Sequence, residues 1–430
     1  MSLPLSRSVS GASAFYLIIF GQLVSLLGSG LTSFGLSVWV FRESGSTLAY
    51  SIVLVAILLP VALGSFFAGP LVDRWDRRWI LLLTDSTSSL MTLVLALLYS
   101  TDQLQIGHVY LALFVSGIAL SFQIPAQQAI VPLLVQKEKL DRAAGLSQLP
   151  GTVSEIVAPL LAGALLVSVG LGRIFFIDFA TFLIGILTIF LVDIPSPQRD
   201  TSLVEEPKFI EEFTAGFRYL WVHRPFLYLT GYITLMVFTL GAYYALYPPL
   251  ILSLASDSVL GIVNALVGVG SLIGAILLGI WKFKKRVRAI LLAGILMSLG
   301  GMFAGMQPTL FLIVPGLVLA FGTVPFLIGL NRALYQLKAP PALLGRIFAF
   351  RLAVGTGAQT IGALLAGFIA ENVFKPVSVD TLAVGQGIAF TLLLFGWLFL
   401  ITTLIAFTIA PLRQLEQRLP DFQEDYRQAP

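Results

Sequence analysis

Long apolar blocks constrain this chain more than any other feature. Three of the longest run over residues 49–71, 106–135 and 383–410. A helix needs roughly 20 mostly apolar residues to cross a bilayer, and each block is long enough. Charged residues make up only 11% of the 430 residues, whereas a soluble domain carries about a quarter. The sequence therefore predicts an all-α integral membrane protein.

Apolar blocks between charged segments give twelve predicted spans. The first six lie near 14–41, 48–71, 79–99, 106–132, 143–169 and 172–192. The second six lie near 226–252, 257–281, 287–305, 309–335, 344–370 and 383–410. The predicted domains are a six-helix bundle over 1–192, a cytoplasmic linker over 193–225, a second six-helix bundle over 226–412 and a cytoplasmic tail over 413–430.

The distribution of basic residues predicts the orientation of these spans. If the N-terminus is cytoplasmic, 21 of the 26 Lys and Arg residues fall in the cytoplasmic segments. Inner loops of membrane proteins are enriched in Lys and Arg, and miscounting one span would destroy this alternation. We therefore expect a multi-pass protein of the plasma (inner) membrane with both termini in the cytoplasm.

The linker combines two kinds of sequence. Residues 194–207 are polar and rich in proline, which predicts a flexible segment. The end of the linker predicts an amphipathic helix on the inner membrane surface, because apolar residues recur there every three or four positions. A short soluble helix packed on the linker is the alternative. The apolar residues are Phe209, Phe213, Phe217, Leu220 and Trp221.

An internal repeat relates the two predicted bundles. Residues 151–163 and 355–367 are identical at six of thirteen positions, and each segment lies in the fifth span of its half. Two six-helix halves related by an axis along the membrane normal are typical of transporters whose site lies between the halves. The repeat therefore predicts two pseudo-symmetric bundles.

The loop after the second predicted span carries the most specific motif. It resembles the signature loop of the major facilitator superfamily, and its D-R-x-D-R-R form is typical of the macrolide-efflux and enterobactin-exporter-like branch. One position departs from the superfamily pattern, where aspartate replaces the usual glycine at residue 76. The residues that carry the motif are Gly69, Asp73, Arg74, Asp76, Arg77 and Arg78.

This resemblance implies a secondary transporter with a conformational latch. Asp73 would bond to the start of the eleventh span, near Arg346, in the outward-facing state. The alternative is that the loop arginines only set the topology. We also assign Asp85 to the latch, as a partner of the loop, and Arg351 either to the latch or to anion binding.

Two further carboxylates inside predicted spans are candidates for proton coupling, since ionisable groups in a membrane are costly and usually functional. Glu155 lies near the middle of the fifth span, where proton transfer and a static hydrogen-bond network with Ser154 or Gln148 are both open. Asp178 lies in the sixth span. For Asp178, capping a helix end or pairing with Arg173 is favoured over binding a proton.

A substrate cavity between spans one, four, seven and ten is implied by the resemblance. Its polar and aromatic candidates carry few charges, which favours hydrophobic or amphipathic substrates over sugars or small anions. The candidates are Gln22, Ser25, Ser29, Thr32, Gln123, Tyr232, Tyr243, Asn331 and Gln359.

Several functions are excluded or disfavoured. The chain has no cysteine and only two histidines, so a thiolate metal site is excluded and a histidine or haem site is not expected. We find no enzyme motif and expect no cofactor and no nucleic acid partner. The predicted function is proton-coupled export of a drug-like or siderophore-like small molecule by a monomer in the lipid bilayer. A non-transporting assembly factor or sensor is the alternative, and a channel is disfavoured.

Overall fold

A computed structural model describes residues 11–136, 139–192, 209–374, 383–419 and 421. Twelve helices are long and apolar enough to cross a membrane, which confirms the predicted fold class. The helices of the first half are α1 (Ala12–Ser44), α2 (Thr47–Arg74), α3 (Arg77–Ser100), α4 (Ile106–Leu134), α5 (Leu140–Ser168) and α6 (Gly170–Leu191).

The second half begins with the linker helix. Its helices are α7 (Phe209–Val222), α8 (Arg224–Leu254), α9 (Asp257–Ile280), α10 (Arg286–Gly305), α11 (Leu310–Gly322), α12 (Val324–Lys338), α13 (Pro341–Ile369), α14 (Ala383–Thr408), α15 (Ala410–Arg413) and α16 (Leu415–Arg418). The tenth span consists of α11 and α12, which meet at Thr323. Pro325 lies two residues after Thr323 and has no N–H to continue the hydrogen bonds of α11.

The linker helix α7 forms where the sequence predicts it, and part of it packs on α13. Phe217 and Phe350 lie with their ring centroids 5.5 Å apart, and Leu220 is fully buried. Gly216 lies so close to α13 that a Cβ atom there would be 2.6 Å from the carbonyl oxygen of Arg346. The position of α7 on the membrane surface stays a prediction. The predicted flexible segment 194–207 and the side chains of Phe209 and Phe213 lie outside the described part.

The chain divides into two compact units. The first unit comprises Met1–Glu205 with Ile251–Ala265, and the second comprises Glu206–Leu250 with Leu266–Pro430. In the first unit, α1 packs against α5 and α6, while α3 packs against α4 and α6. In the second unit, α10 packs against α11 and α14. The predicted domain boundaries stay an expectation.

The repeated segments make the same kind of close helix crossing in each unit. In the first unit Ala158 of α5 faces Gly30 of α1, where an added Cβ atom would lie 2.6 Å from the Ala158 Cβ atom. Gly362 is the repeat counterpart of Ala158, and it lies against the carbonyl oxygen of Phe238 on α8. Small residues let membrane helices approach closely. In both units the repeated segment thus lies where two helices pack closely.

Candidate functional site

A polar cavity of about 200 Å³ lies inside the first unit, among α1, α2, α3, α4 and α6. Its polar groups are mostly hydroxyls and amides, with one carboxylate. This polar cavity contains all five substrate-cavity candidates that we predicted in the first half. Its main polar residues are Gln22, Ser25, Ser29, Thr32, Ser88, Thr92, Ser116, Gln123 and Asp178.

Asp178 is the carboxylate of the polar cavity, and it is almost fully buried, at 1% exposure. The hydroxyl of Thr92 on α3 donates a hydrogen bond to Asp178 Oδ2 at 3.2 Å. Within the described residues, neither Asp178 Oδ1 nor Thr32 Oγ1 forms a hydrogen bond of regular geometry, although the Thr32 hydroxyl lies close enough to interact with the Asp178 carboxylate. No Lys or Arg lines the cavity. A charged carboxylate in such a place is costly unless a proton or a cation accompanies it.

Three glycines on α1 let Asp178 of α6 lie close to that helix. Gly21, Gly28 and Gly35 recur every seven residues and face α6. A Cβ atom on Gly28 would overlap with the Thr181 hydroxyl and would lie 2.8 Å from Asp178 Oδ1. The absence of these side chains lets α1 and α6 approach closely. The carboxylate therefore lies directly against the backbone of α1.

The favoured sequence-based interpretation of Asp178 is wrong. Asp178 lies eight residues into α6, too far from the helix start to cap it, and Arg173 is exposed instead of paired with it. Because an α-helix turns 100° per residue, residues five positions apart point in clearly different directions. The described hydrogen bond of Asp178 goes to Thr92 on another helix.

Asp85 is a second buried carboxylate close to the same cavity. The side-chain amide of Gln123, on the neighbouring helix α4, donates a hydrogen bond from Nε2 to Asp85 Oδ1. Asp85 also lines a small pocket together with Gln22 and Ser25, which belong to the polar cavity as well. The described partner of Asp85 is thus Gln123, where we expected a residue of the signature loop. Asp85 and Thr92 lie seven residues apart on α3, a rise of about 10 Å.

Glu155, the other proton-coupling candidate, does not line the polar cavity. Its side chain is exposed on α5. Of the two partners considered for a static network with Glu155, Ser154 and Gln148, Ser154 is engaged elsewhere, because its hydroxyl donates to the carbonyl oxygen of Leu26 at 2.7 Å. The structure therefore brings Asp178, and not Glu155, together with the predicted cavity residues of the first unit.

The remaining cavity candidates lie in the second unit. The Tyr232 hydroxyl is buried and hydrogen-bonds with Thr403 at 3.2 Å. Tyr243 and Asn331 are buried, and in the described part of the chain the Tyr243 hydroxyl and Asn331 Oδ1 have no hydrogen-bond partner. The backbone carbonyl oxygen of Gln359 lies against Gly241. Their role in substrate binding stays a prediction.

The signature loop has a structural role that explains its unusual aspartate. Asp76 is the N-cap of α3, and its carboxylate accepts a hydrogen bond from the backbone N–H of Arg78 at 2.9 Å. Aspartate and glycine are both favourable at this position of a helix. The guanidinium of Arg78 donates to the carbonyl oxygen of Phe190 at 3.0 Å, near the end of α6. Arg78 thus joins the start of α3 to the end of α6.

Other latch residues are only partly visible. The last two turns of α2 contain Gly69, Asp73 and Arg74. The side chains of Asp73 and Arg74 lie outside the described part. Arg77 is half-buried. The latch itself therefore stays a prediction.

In the second unit, Arg351 packs on aromatic rings. Its guanidinium carbon lies 4.1 Å from the ring centroid of Tyr335 and 5.7 Å from that of Phe348. Cation–π contacts of this kind stabilise a partly buried guanidinium. Arg346 is exposed, and its backbone carbonyl contacts the linker helix at Gly216.

Substitutions at Asp76 test the cap. We expect Asp76→Ala to lower the free energy of unfolding by about 1 kcal/mol, because the N–H of Arg78 loses its acceptor. We expect Asp76→Gly, which restores the common family residue, to cost only a few tenths of a kcal/mol. Thermal unfolding of the purified protein in detergent measures both. Equal losses for the two variants would show that the aspartate does not act as a cap.

The sequence interpretation missed four hydroxyl residues of the polar cavity, which are Ser33, Ser88, Thr92 and Ser116. Ser88 and Thr92 line the polar cavity from α3, on the same helix as Asp85. Positions 85, 88 and 92 follow the three- and four-residue spacing of one helix face. This polar stripe within an apolar span was the signal that could have identified Ser88 and Thr92.

Comparison with known proteins identifies the family. A sequence model of the Major Facilitator Superfamily matches residues 18–363. The chain belongs to this superfamily. It is accordingly a membrane transporter and not an enzyme, and the predicted family is confirmed.

This facilitator has similar relatives among bacterial efflux proteins. Macrolide efflux protein A of Streptococcus pyogenes is 31% identical over 366 residues, which cover 84% of this chain and 90% of the relative. Enterobactin exporter EntS of Escherichia coli O1:K1 / APEC is 27% identical over 392 residues, or 89% of this chain and 91% of the relative. Both names belong to the branch that the signature loop indicates.

Solved structures share the fold of this facilitator at low identity. A bacterial homolog of the human lysosomal transporter Spinster aligns with a TM-score of 0.70 and 16% identity, covering 95% of this chain and 99% of that chain. The nucleoside transporter NupG aligns with a TM-score of 0.67 and 13% identity, covering 92% of this chain and 99% of that one. These matches show the major facilitator fold.

Proposed function

We propose that this facilitator is a proton-coupled exporter of hydrophobic or amphipathic small molecules. The similarity to a macrolide efflux protein and to an enterobactin exporter supports export and suggests drug-like or siderophore-like substrates. We further propose that the protein works as a monomer in the inner membrane of a bacterium, with both termini in the cytoplasm.

The proposal of proton coupling rests on Asp178, a buried carboxylate in a cavity with no Lys or Arg among its described lining residues. Its carboxylate lies in a cavity lined by hydroxyls and amides, and one of its oxygens forms no hydrogen bond of regular geometry among the described residues. A proton on that oxygen would neutralise the carboxylate and supply a donor. Alternating access would then let Asp178 take up a proton from one side of the membrane and release it to the other, while substrate moves in the opposite direction.

Asp85 provides a second carboxylate on the same polar route. It is joined to the cavity by Gln123, and hydroxyls of α3 lie between it and Asp178. Polar side chains with ordered water can pass protons over such distances. We therefore propose that protons pass through the first unit, with Asp178 as the principal binding group.

Export is tested in an efflux-deficient bacterial host that carries wild type, Asp73→Asn or empty vector, with equal amounts of protein in the membrane. We expect wild type to lower the cellular accumulation of some macrolides or catechol siderophores, and Asp73→Asn to lose most of this effect. If all three strains accumulate every compound equally, the proposed export of these classes is wrong. A non-transporting assembly or sensing role would then replace it.

A further inference from the structure

A groove with a strongly basic rim lies on the second unit, between the start of α10 and the tail helices α15 and α16. Its volume is about 710 Å³. Four exposed cations form its rim: Lys284, Lys285, Arg288 and Arg413. We call this feature the basic groove. Neither the proposed export reaction nor the signature loop uses it.

The described residues leave the positive charge of the basic groove without a neutralising partner. In the described ranges, none of the four rim cations forms an ion pair or a side-chain hydrogen bond. Among the described residues that line the groove, the one carboxylate is Glu416. It accepts hydrogen bonds from the backbone N–H groups of Arg286 at 3.0 Å and Val287 at 3.4 Å. Glu416 therefore caps α10, and the rim cations remain available to an external anion.

A buried lysine holds the tail that forms one wall of the basic groove. The side chain of Lys338, at the end of α12, is only 5% exposed. Its ammonium donates to the carbonyl oxygen of Glu416 at 3.2 Å and to that of Leu419, and it forms an ion pair with Asp421 at 3.0 Å. Because Lys338 and Glu416 fix the tail, the groove is preorganised, which lowers the entropic cost of binding a ligand.

The floor of the basic groove is apolar. Val287 and Leu291 of α10 and Phe407 of α14 line it below the cations. Trp281, which directly follows α9 and precedes Lys284 by three residues, is 56% exposed, and tryptophan is enriched at the level of lipid headgroups. Three of the rim cations lie at or just before the start of α10, ahead of its apolar part, and this is the level at which we expect phospholipid phosphates.

We propose that the basic groove binds the phosphate of an anionic phospholipid, with the glycerol and the first acyl carbons on the apolar floor. Several cations above an apolar surface match a molecule with a negative headgroup and a hydrocarbon tail. A free inorganic anion would use the rim but not the floor. This site is independent of the proposed export and of its substrate.

Lipid binding is measured on the delipidated full-length protein by native mass spectrometry with added phosphatidylglycerol or phosphatidylcholine. We expect wild type to bind phosphatidylglycerol more tightly than phosphatidylcholine. The triple variant Lys284→Gln, Lys285→Gln, Arg288→Gln should bind phosphatidylglycerol about tenfold more weakly than wild type does. The control variant removes three exposed cations elsewhere and should bind like wild type. It carries Lys139→Gln, Arg142→Gln and Arg218→Gln.

A second measurement separates weak binding from misfolding. Phosphatidylglycerol should raise the melting temperature of wild type and of the control variant but not that of the triple variant, because a ligand stabilises only the fold that binds it. Equal binding by wild type and triple variant would overturn the proposal, as would equal binding of the two lipids by wild type. Displacement of the lipid by excess inorganic phosphate would assign the groove to free anions instead.

Discussion

Asp178→Asn is expected to abolish net export and to leave the protein folded. Asparagine has nearly the same shape and can still accept the hydrogen bond from Thr92, but it cannot bind and release a proton. Export driven by a proton gradient should therefore fall to the level of empty vector. Exchange of labelled for unlabelled substrate across proteoliposomes should persist, because exchange needs no net movement of protons.

Glu155→Gln is the matched control for this experiment. It removes a carboxylate from another span, and Glu155 is exposed and lies outside the polar cavity. We expect it to keep at least half of the export rate, whereas Asp178→Asn keeps none. If Asp178→Asn exports at the wild-type rate, Asp178 is not the coupling group. If only Glu155→Gln loses export, the proton route runs along α5 instead.

Gly362→Val is expected to destabilise the second unit strongly. A Cβ atom at position 362 would overlap with the backbone carbonyl of Phe238, so α8 and α13 would have to separate. Overpacking of this kind costs about 1–3 kcal/mol, and a backbone atom cannot rotate away as a side chain can. We expect a clear fall in melting temperature and in the yield of folded protein in the membrane.

Gly357→Val provides the control on the same helix. Apart from its chain neighbours and the adjacent backbone of α13, no described atom lies within 4 Å of a Cβ atom built on Gly357, so the substitution introduces the same β-branched residue into α13 without a clash. Its melting temperature should remain close to that of wild type. Equal destabilisation by both substitutions would mean that valine destabilises α13 at any position. The close packing of α13 on α8 at Gly362 would then not explain the effect.

Most of the fold was predictable because it depends on local sequence. The length of each apolar block sets the length of a span, and the charged residues between blocks mark the ends, so all twelve spans were found. The linker helix was predicted for the same reason, because its apolar spacing is local. We did not predict that the tenth span divides into α11 and α12 at Thr323, although the sequence has Pro325 two residues later.

The candidate site was harder to predict because its partners are distant in the chain. The hydrogen bond between Thr92 and Asp178 joins α3 to α6, and that between Gln123 and Asp85 joins α4 to α3. Neither pair follows from a spacing along one helix. The interpretation of Asp178 through its neighbour Arg173 was wrong because it considered residues close in sequence and ignored their directions around α6.

The most direct test of proton-coupled export uses purified wild-type protein in proteoliposomes that contain a pH-sensitive dye. A substrate identified in the accumulation assay is loaded inside, with no pH gradient at the start. We predict that outward movement of substrate brings protons in, so that the interior acidifies, and that Asp178→Asn liposomes show no change. Substrate movement without acidification, in the presence or absence of sodium ions, would contradict proton coupling.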